Sequence, residues 1–165
     1  MFLNPMGCGY YYEITQCNGS PEEDNYSTFV QRDETRKAIH VGDRRFGYQN
    51  VYQSMLDDFM RPERENVEFL FDRYKVLIYD GNFDIICNHS GVLEMFAAMD
   101  TWSAIDEYYD TNRKVYRGRD GKVAGYVKRV QNLRMFVMRN AGHMVPLSQP
   151  MYAQDMFEDF LAGDL

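Results

Sequence analysis

Residues 75–84 have the sequence KVLIYDGNFD, in which a short apolar run ends in a cluster of turn-forming residues. A second run of this kind, RMFVM at residues 134–138, ends in the turn NAG at residues 140–142 and leads directly to His143. Short, almost wholly apolar runs bounded by turns are typical of strands that are buried on both faces of a parallel sheet. We therefore predict two central strands, each followed by a loop at its carboxyl end.

Helical patterns surround these two strands, with apolar residues at the intervals of three and one that mark one face of a helix. The predicted helices cover residues 29–40, 48–60, 63–73, 91–99 and 149–161. Asp33 is a candidate N-cap within the first of them. Two β-prone runs at residues 115–117 and 123–126 flank Asp120-Gly121, a pair that favours a hairpin.

A strand followed by a helix, twice over, indicates the α/β class and the edge half of a doubly wound, mostly parallel sheet. The chain has 165 residues, of which 45% are hydrophobic and 26% charged, and this is enough for one compact domain rather than two. Residues 1–28 are rich in aromatic and turn-forming residues and are predicted to be irregular.

The charge balance argues against a nucleic-acid partner, because 25 acidic residues outnumber 18 basic ones and such partners require a basic surface. No stretch approaches the ~18 consecutive apolar residues of a membrane-spanning helix, so no span is expected. The first residues, Met1 to Pro5, lack the basic start and apolar core of a signal peptide.

Other features are nevertheless typical of the secretory route. The glycosylation motif Asn-X-Ser occurs at Asn18, Asn25 and Asn88, and we predict modification of the first two. A secretory protein without a signal peptide is inconsistent, so the chain is expected to be incomplete at its N-terminus.

The three cysteines allow a disulfide in an oxidising compartment. Cys8 and Cys17 flank a short segment that a local disulfide would close, which leaves Cys87 unpaired. The alternative for all three is that they are small buried hydrophobic residues. No histidine lies at ligand spacing from them, so neither a metal nor another cofactor is predicted.

Functional residues of α/β sheets gather in the loops at the carboxyl ends of strands. The loop after the first strand carries Asp80 and Asp84, and the loop after the second carries His143. An aspartate and a histidine at corresponding strand ends can face each other, as in catalytic triads. On spacing alone the alternative stands, since a loop histidine or a turn aspartate is more often structural.

The wording of these loops resembles the serine carboxypeptidase family, and its vitellogenic-like branch in particular. VLIYDGNFDII at residues 76–86 resembles the family's catalytic-aspartate signature, and NAGHMVPLSQP at residues 140–150 resembles its catalytic-histidine signature. VAGYVK at residues 123–128, TRKAIHVG at residues 35–42 and the segment 4–17, with its paired tyrosines and two cysteines, extend the resemblance over nearly the whole chain.

The resemblance implies a role for each matching residue. Asp84 is the implied acidic member of the triad, and His143 is the implied general base and acid. Asp80 is the competing carboxylate and is expected to close the turn. His40 is expected to be structural, and His89 is expected to be a loop residue.

Two more residues are implied to lie at the substrate pocket. Met144 follows the histidine and is expected to line the leaving-group side of the cleft. Cys87 falls where some family members carry a free thiol in the pocket. It is not a strong nucleophile candidate because no dedicated base accompanies it, and burial as a small hydrophobic residue is the alternative.

The family's nucleophile lies in a G-x-S-x-G elbow, and no serine of this chain has that context. The resemblance thus implies the C-terminal part of an α/β-hydrolase fold, one partial domain with cap and helical residues at 1–73 and final strands at 74–165. Such a chain is expected to be inert alone and to pair with the N-terminal remainder of the enzyme, in the same or a separate chain, with a homodimer left open.

Peptide or protein substrates and a lysosomal or extracellular location follow from the family. The alternatives are an inactive truncated paralogue that binds another chain, and a scaffold that transfers acyl groups to a small acceptor instead of water.

Overall fold

The computed structural model describes residues 7–19, 22–44, 46–47, 50–59 and 61–165. The chain divides into two compact units, one formed by Met1–Cys17 with Glu63–Leu165 and the other by Asn18–Pro62. The predicted boundary at residue 73 stays a prediction.

The smaller unit contains four short helices in its described residues: α1 (Glu22–Val30), α2 (Asp33–Ala38), α3 (Val51–Ser54) and α4 (Leu56–Phe59). The prediction of an irregular segment up to residue 28 is wrong for α1. Asp33 is the first residue of α2 rather than its N-cap, which is Arg32. The helix predicted at residues 48–60 is interrupted at Met55, and its positions 48, 49 and 60 lie outside the described residues.

The larger unit is built on a four-stranded sheet: β1 (Val76–Gly81), β2 (Lys114–Arg117), β3 (Val123–Val130) and β4 (Leu133–Met138), in the order β1-β4-β3-β2. The first and last of these strands pair in parallel, from Val76 opposite Leu133 to Gly81 opposite Met138. The other two pairings are antiparallel, and the predicted hairpin is the pair β2–β3.

In the described part of this unit, five helices accompany the sheet: α5 (Arg64–Arg73), α6 (His89–Ala97), α7 (Ile105–Asp110), α8 (Val145–Ser148) and α9 (Pro150–Ala162). The sequence predicted α5, α6 and α9 but missed α7 and α8, which are only one to two turns long. α9 ends at Gly163, whose positive φ of 89° provides the left-handed C-cap that glycine adopts without steric cost. Among the described residues, no helix is both long enough and apolar enough to cross a bilayer.

Strand β4 separates two hydrophobic clusters. Leu133, Met135 and Val137 pack in a cluster with Phe71, Phe96, Trp102 and Tyr108, whereas Phe136 and Met138 pack with Tyr116, Val145, Ala153 and Met156. This alternation is the two-residue period of a strand covered on both faces, so the prediction of a buried central strand is confirmed for β4.

The same prediction is wrong for β1 in this sheet. β1 is one of the two edge strands of the described sheet, its apolar residues are only partly buried, and Tyr79 is 45% exposed. The apolar sequence of β1 is suited to a strand buried by neighbours on all sides. Among the described residues, however, β1 pairs along one edge only, with β4.

Candidate active site

The turn after β1 holds Asp84 in place through its own backbone. The Asp84 carboxylate is buried, and its Oδ1 accepts hydrogen bonds from the backbone N–H groups of Ile86 at 2.9 Å and Cys87 at 3.1 Å. At the end of the turn, Asn88 caps α6 by accepting a hydrogen bond from the N–H of Gly91 at 3.0 Å. The turn therefore holds Oδ1 of Asp84, and the second carboxylate oxygen, Oδ2, can contact a residue outside the turn.

Parallel pairing of β1 and β4 brings the two strand-end turns together. The N–H of Asn82 donates to the carbonyl oxygen of Met138 at 3.0 Å, and the N–H of Phe83 donates to that of Ala141 at 2.8 Å. Gly81 lies at the closest approach of the two turns, because a Cβ atom added there would be 2.6 Å from the carbonyl carbon of Ala141. Only a residue without a side chain permits this spacing.

Asp84 and His143, 59 residues apart in sequence, lie next to each other at the carboxyl ends of β1 and β4. His143 Nδ1 lies 2.9 Å from Asp84 Oδ2. The Asp84 side chain is 4% exposed and the His143 side chain is 32% exposed. A buried carboxylate that accepts from Nδ1–H selects the tautomer in which Nε2 carries the lone pair, so the ring can accept a proton from the solvent side.

A segment that the sequence did not connect with the site supports the histidine. Residues 8–17, which we call the strap, are closed by a disulfide between Cys8 and Cys17. The N–H of His143 donates to the carbonyl oxygen of Tyr12 at 2.7 Å, and the rings of these two residues stack with centroids 5.2 Å apart. The N–H of Ile14 donates to the carbonyl oxygen of Phe83 at 2.8 Å, so the strap contacts both turns.

The roles of Cys87 and Met144 at a substrate pocket stay predictions, although both residues lie beside the Asp84–His143 pair. Cys87 is exposed as a residue and forms no disulfide. The atoms around its thiol nevertheless remove part of the hydration of that group, and this desolvation together with the Asp84 carboxylate raises the pKa of the thiol. A raised pKa leaves little thiolate at neutral pH, which agrees with its poor standing as a nucleophile. Met144 is exposed and precedes α8 directly.

The other two histidines lie elsewhere. His89 is the first residue of α6, and its Nδ1 lies 3.0 Å from Oδ2 of the buried Asp80. Asp80 thus binds a histidine nine residues away, a pairing that the sequence did not predict. His40 belongs to the smaller unit, where it is exposed and has a positive φ of 57°.

The fold also gathers a set of potential metal ligands that sequence spacing did not indicate. One ligand atom each of Asp84, Cys87 and His143 lie within 4.8 Å of one another. The sequence argued against a metal on the ground that no histidine lies at ligand spacing from the cysteines. The parallel strands bring His143 to Cys87 from 56 positions away, since one residue follows β1 and the other follows β4.

The chain forms part of an α/β-hydrolase fold, in which an aspartate and then a histidine follow the carboxyl ends of strands in this chain order. The structure of Kex1(delta)p, a prohormone-processing carboxypeptidase from Saccharomyces cerevisiae, has this fold and matches with a TM-score of 0.72. The match covers 93% of this chain and 36% of that one at 19% identity.

The family follows from the sequence comparisons. The serine carboxypeptidase family model matches residues 6–163. The protein named "Probable serine carboxypeptidase CPVL" from Mus musculus is 34% identical over 97% of this chain, and the vitellogenic carboxypeptidase from Aedes aegypti is 35% identical over 96% of it. This chain belongs to the serine carboxypeptidase family. It spans about a third of the length of these relatives, 34% of each.

Proposed function

We propose that this chain carries the acid–base half of a serine carboxypeptidase active site, with Asp84 and His143 as two members of the triad. The observation that supports this most is the 2.9 Å contact between a buried carboxylate and a partly exposed imidazole at one end of a parallel strand pair. Family membership supports the reaction class, which is hydrolysis of the C-terminal peptide bond of a peptide or protein.

In this proposal His143 Nε2 accepts the proton of a serine hydroxyl as that oxygen attacks the scissile carbonyl carbon. The same nitrogen then donates the proton to the leaving amine, which leaves an acyl-enzyme. In the second half of the cycle water attacks the acyl carbon while Nε2 takes its proton, the ester bond to the serine breaks, and Nε2 returns the proton to the serine oxygen as the shortened peptide leaves. Asp84 holds the ring and stabilises its protonated form throughout, because its carboxylate stays beside Nδ1.

The serine is proposed to come from outside these 165 residues, since no serine of the chain lies in a G-x-S-x-G context. We accordingly expect the 165 residues alone to release no C-terminal amino acid. Cys87 and Met144 are proposed to contact the substrate, because Cys87 lies close to the histidine in space, Met144 follows it in sequence, and both are exposed.

A chimera tests the proposal. This chain would replace the matching segment of the Aedes aegypti vitellogenic carboxypeptidase, and release of the C-terminal residue from blocked dipeptides would be measured. We expect the chimera to be active and Asp84→Asn to lower kcat about ten-thousandfold, because the ring then loses its correct tautomer. His143→Ala should have an effect of similar size, since the base itself is lost.

The matched control is His40→Asn, which changes an exposed histidine and should leave kcat unchanged. Circular dichroism and thermal unfolding would verify that each variant folds. A folded chimera whose activity survives Asp84→Asn and His143→Ala would sink the assignment.

A secretory location, lysosomal or extracellular, is part of the same proposal. Asn18 and Asn25 are exposed, as glycosylation requires, and Cys8 and Cys17 form a disulfide of the kind that persists in oxidising compartments. Asn88 is a poor acceptor, because its side chain donates to the carbonyl of Ile85 and accepts from the N–H of Gly91.

One observation favours the second candidate, a catalytically inactive paralogue that binds another polypeptide. The outer edge of β1 has no partner strand among the described residues, and the apolar residues of this strand are only partly buried. An unpaired edge of this kind invites pairing with a further strand. The chimera separates the two candidates, because an inactive paralogue would give a folded but inactive hybrid.

A further inference from the structure

Three side chains of different chemistry converge at the end of β1 and β4. A carboxylate oxygen of Asp84, the Sγ of Cys87 and a ring nitrogen of His143 lie within 4.8 Å of one another. Asp84 and Cys87 belong to one turn, and the hydrogen bond from the Cys87 N–H to Asp84 Oδ1 fixes their backbones relative to each other. The chain has three cysteines, and Cys87 is the one that no disulfide occupies.

We propose that Asp84, Cys87 and His143 bind a zinc ion, each through one ligand atom. A sulfur, a nitrogen and an oxygen donor together suit zinc, whereas magnesium and calcium prefer oxygen donors alone. Three protein ligands with a fourth position left to water is the arrangement of open zinc sites. Because Cys87 is exposed and His143 is partly exposed, an ion can reach the donors from solvent.

Binding requires a modest closure of the three donors. Zinc–ligand bonds of about 2.0–2.3 Å place the donors of a tetrahedral site roughly 3.5 Å apart. A separation of 4.8 Å, the upper limit among the three donors, would therefore have to shrink by about 1.3 Å. Because Cys87 is exposed, we expect rotation of its side chain to supply this movement.

The proton balance predicts how binding depends on pH. The thiol of Cys87 must lose its proton to solvent as the zinc–sulfur bond forms, whereas a neutral imidazole keeps its single proton on the nitrogen that does not bind. Each zinc ion bound therefore releases one proton to solvent, so binding should weaken as the medium becomes more acidic.

Zinc and the Asp84–His143 hydrogen bond cannot both use the imidazole fully. An ion on Nδ1 displaces the bond to Asp84, and an ion on Nε2 occupies the lone pair that would accept a proton. Bound zinc would thus hold the site in a form without a free base. This consequence rests on the proposed function, whereas zinc binding itself does not.

The test measures how fast iodoacetamide alkylates Cys87, read by mass spectrometry on the full, non-reduced chain with and without zinc chloride. We expect zinc to slow alkylation, and His143→Gln to weaken the protecting affinity by at least about tenfold, the effect that losing even an outer partner of a metal ligand has. The control His40→Gln removes an exposed histidine and should keep full protection. Because no activity is measured, failure of the proposed catalytic role leaves this readout intact.

Alkylation rates without zinc must agree between the variants, which shows that the turn is unchanged. If His143→Gln changes the alkylation rate without zinc, Asp84→Asn replaces that variant. The unaltered chain is then also titrated with cobalt, which should give a thiolate-to-cobalt charge-transfer band. We expect Cys87→Ser to lose this band. Absence of protection in the unaltered chain, or equal protection after His143 is changed, overturns the proposal.

Discussion

At the scale of single residues, the site depends on a position with no side chain. Gly81 ends β1 where the two turns touch, and an added Cβ would lie against the backbone of both Ala141 and Gly142. Backbone atoms cannot move aside as the end of a flexible side chain can, so Gly81→Ala should push the turns apart. Since proximity of even an ångström matters in catalysis, we expect kcat of the chimera to fall about a hundredfold.

Gly91→Ala is the matched control for this substitution. The new Cβ would meet only Asn88 Oδ1, at 3.9 Å, and alanine favours the helix in which Gly91 lies. Nuclear magnetic resonance of the His143 ring would report the loss of its bond to Asp84 in Gly81→Ala. An unchanged His143 signal and unchanged kcat would contradict the steric argument.

At the scale of elements, the strap should affect catalysis through the position of His143. It takes no part in the proposed proton transfers. Its backbone accepts from His143 and donates to Phe83, and Tyr12 stacks on the imidazole. Replacing both Cys8 and Cys17 by serine should release this segment and cost at most about 2–3 kcal/mol of unfolding free energy, the range for a short disulfide loop.

The expected functional result is a fall in kcat of the chimera with little change in KM, because the strap contacts His143, the proposed base, rather than the proposed substrate contacts. Tyr12→Phe keeps the ring and should retain activity, whereas Tyr12→Ala should share the defect of the disulfide variant. Denaturant unfolding and steady-state kinetics on the same samples would separate lost stability from lost positioning. Equal kcat in all four proteins would show that the strap is dispensable.

The elements also show which parts of the structure the sequence could predict. β4, the hairpin, α5, α6 and α9 follow from local periodicity, and both turns follow from the residues that end the strands. Asp84 and His143 could be predicted as site residues because residues 76–86 and 140–150 resemble the two signatures of the family. The strap was missed because its contact with His143 spans more than 130 residues, and no local pattern encodes such a contact.

The exposure of β1 was mispredicted for a related reason. An apolar run predicts a strand that can be buried, but it does not show how many neighbouring strands pair with it. The Asp80–His89 pair and the approach of Cys87 to His143 likewise arise only once the strands are paired. Side chains brought together by topology are invisible to spacing along the chain.

At the scale of the larger unit, Glu68 makes stability depend on pH. Its side chain is 1% exposed, and Oε2 accepts from the N–H of Thr101 at 2.6 Å, the hydroxyl of Thr101 at 2.7 Å and the N–H of Trp102 at 2.6 Å. Burial alone raises the pKa of Glu68, but these hydrogen bonds to the charged form outweigh burial and lower it below the ordinary value of 4.5. The carboxylate therefore ties α5 to the chain segment before α7.

The direction of the pKa shift determines the direction of the pH effect. Because the unfolded chain binds a proton at Glu68 more readily than the folded one, this group stabilises the fold fully above about pH 5, and the stabilisation is lost as pH falls through the lowered pKa. Glu68→Gln should cost about 2 kcal/mol at neutral pH, as expected for hydrogen bonds to a charged group, and should flatten the acid limb of a plot of unfolding temperature against pH.

Glu65→Gln, an exposed change on the same helix, should leave both the plateau and the limb in place. Thermal unfolding followed by circular dichroism between about pH 3 and pH 7 measures all three proteins, and an acid limb of equal slope in Glu68→Gln would show that another carboxylate controls acid stability.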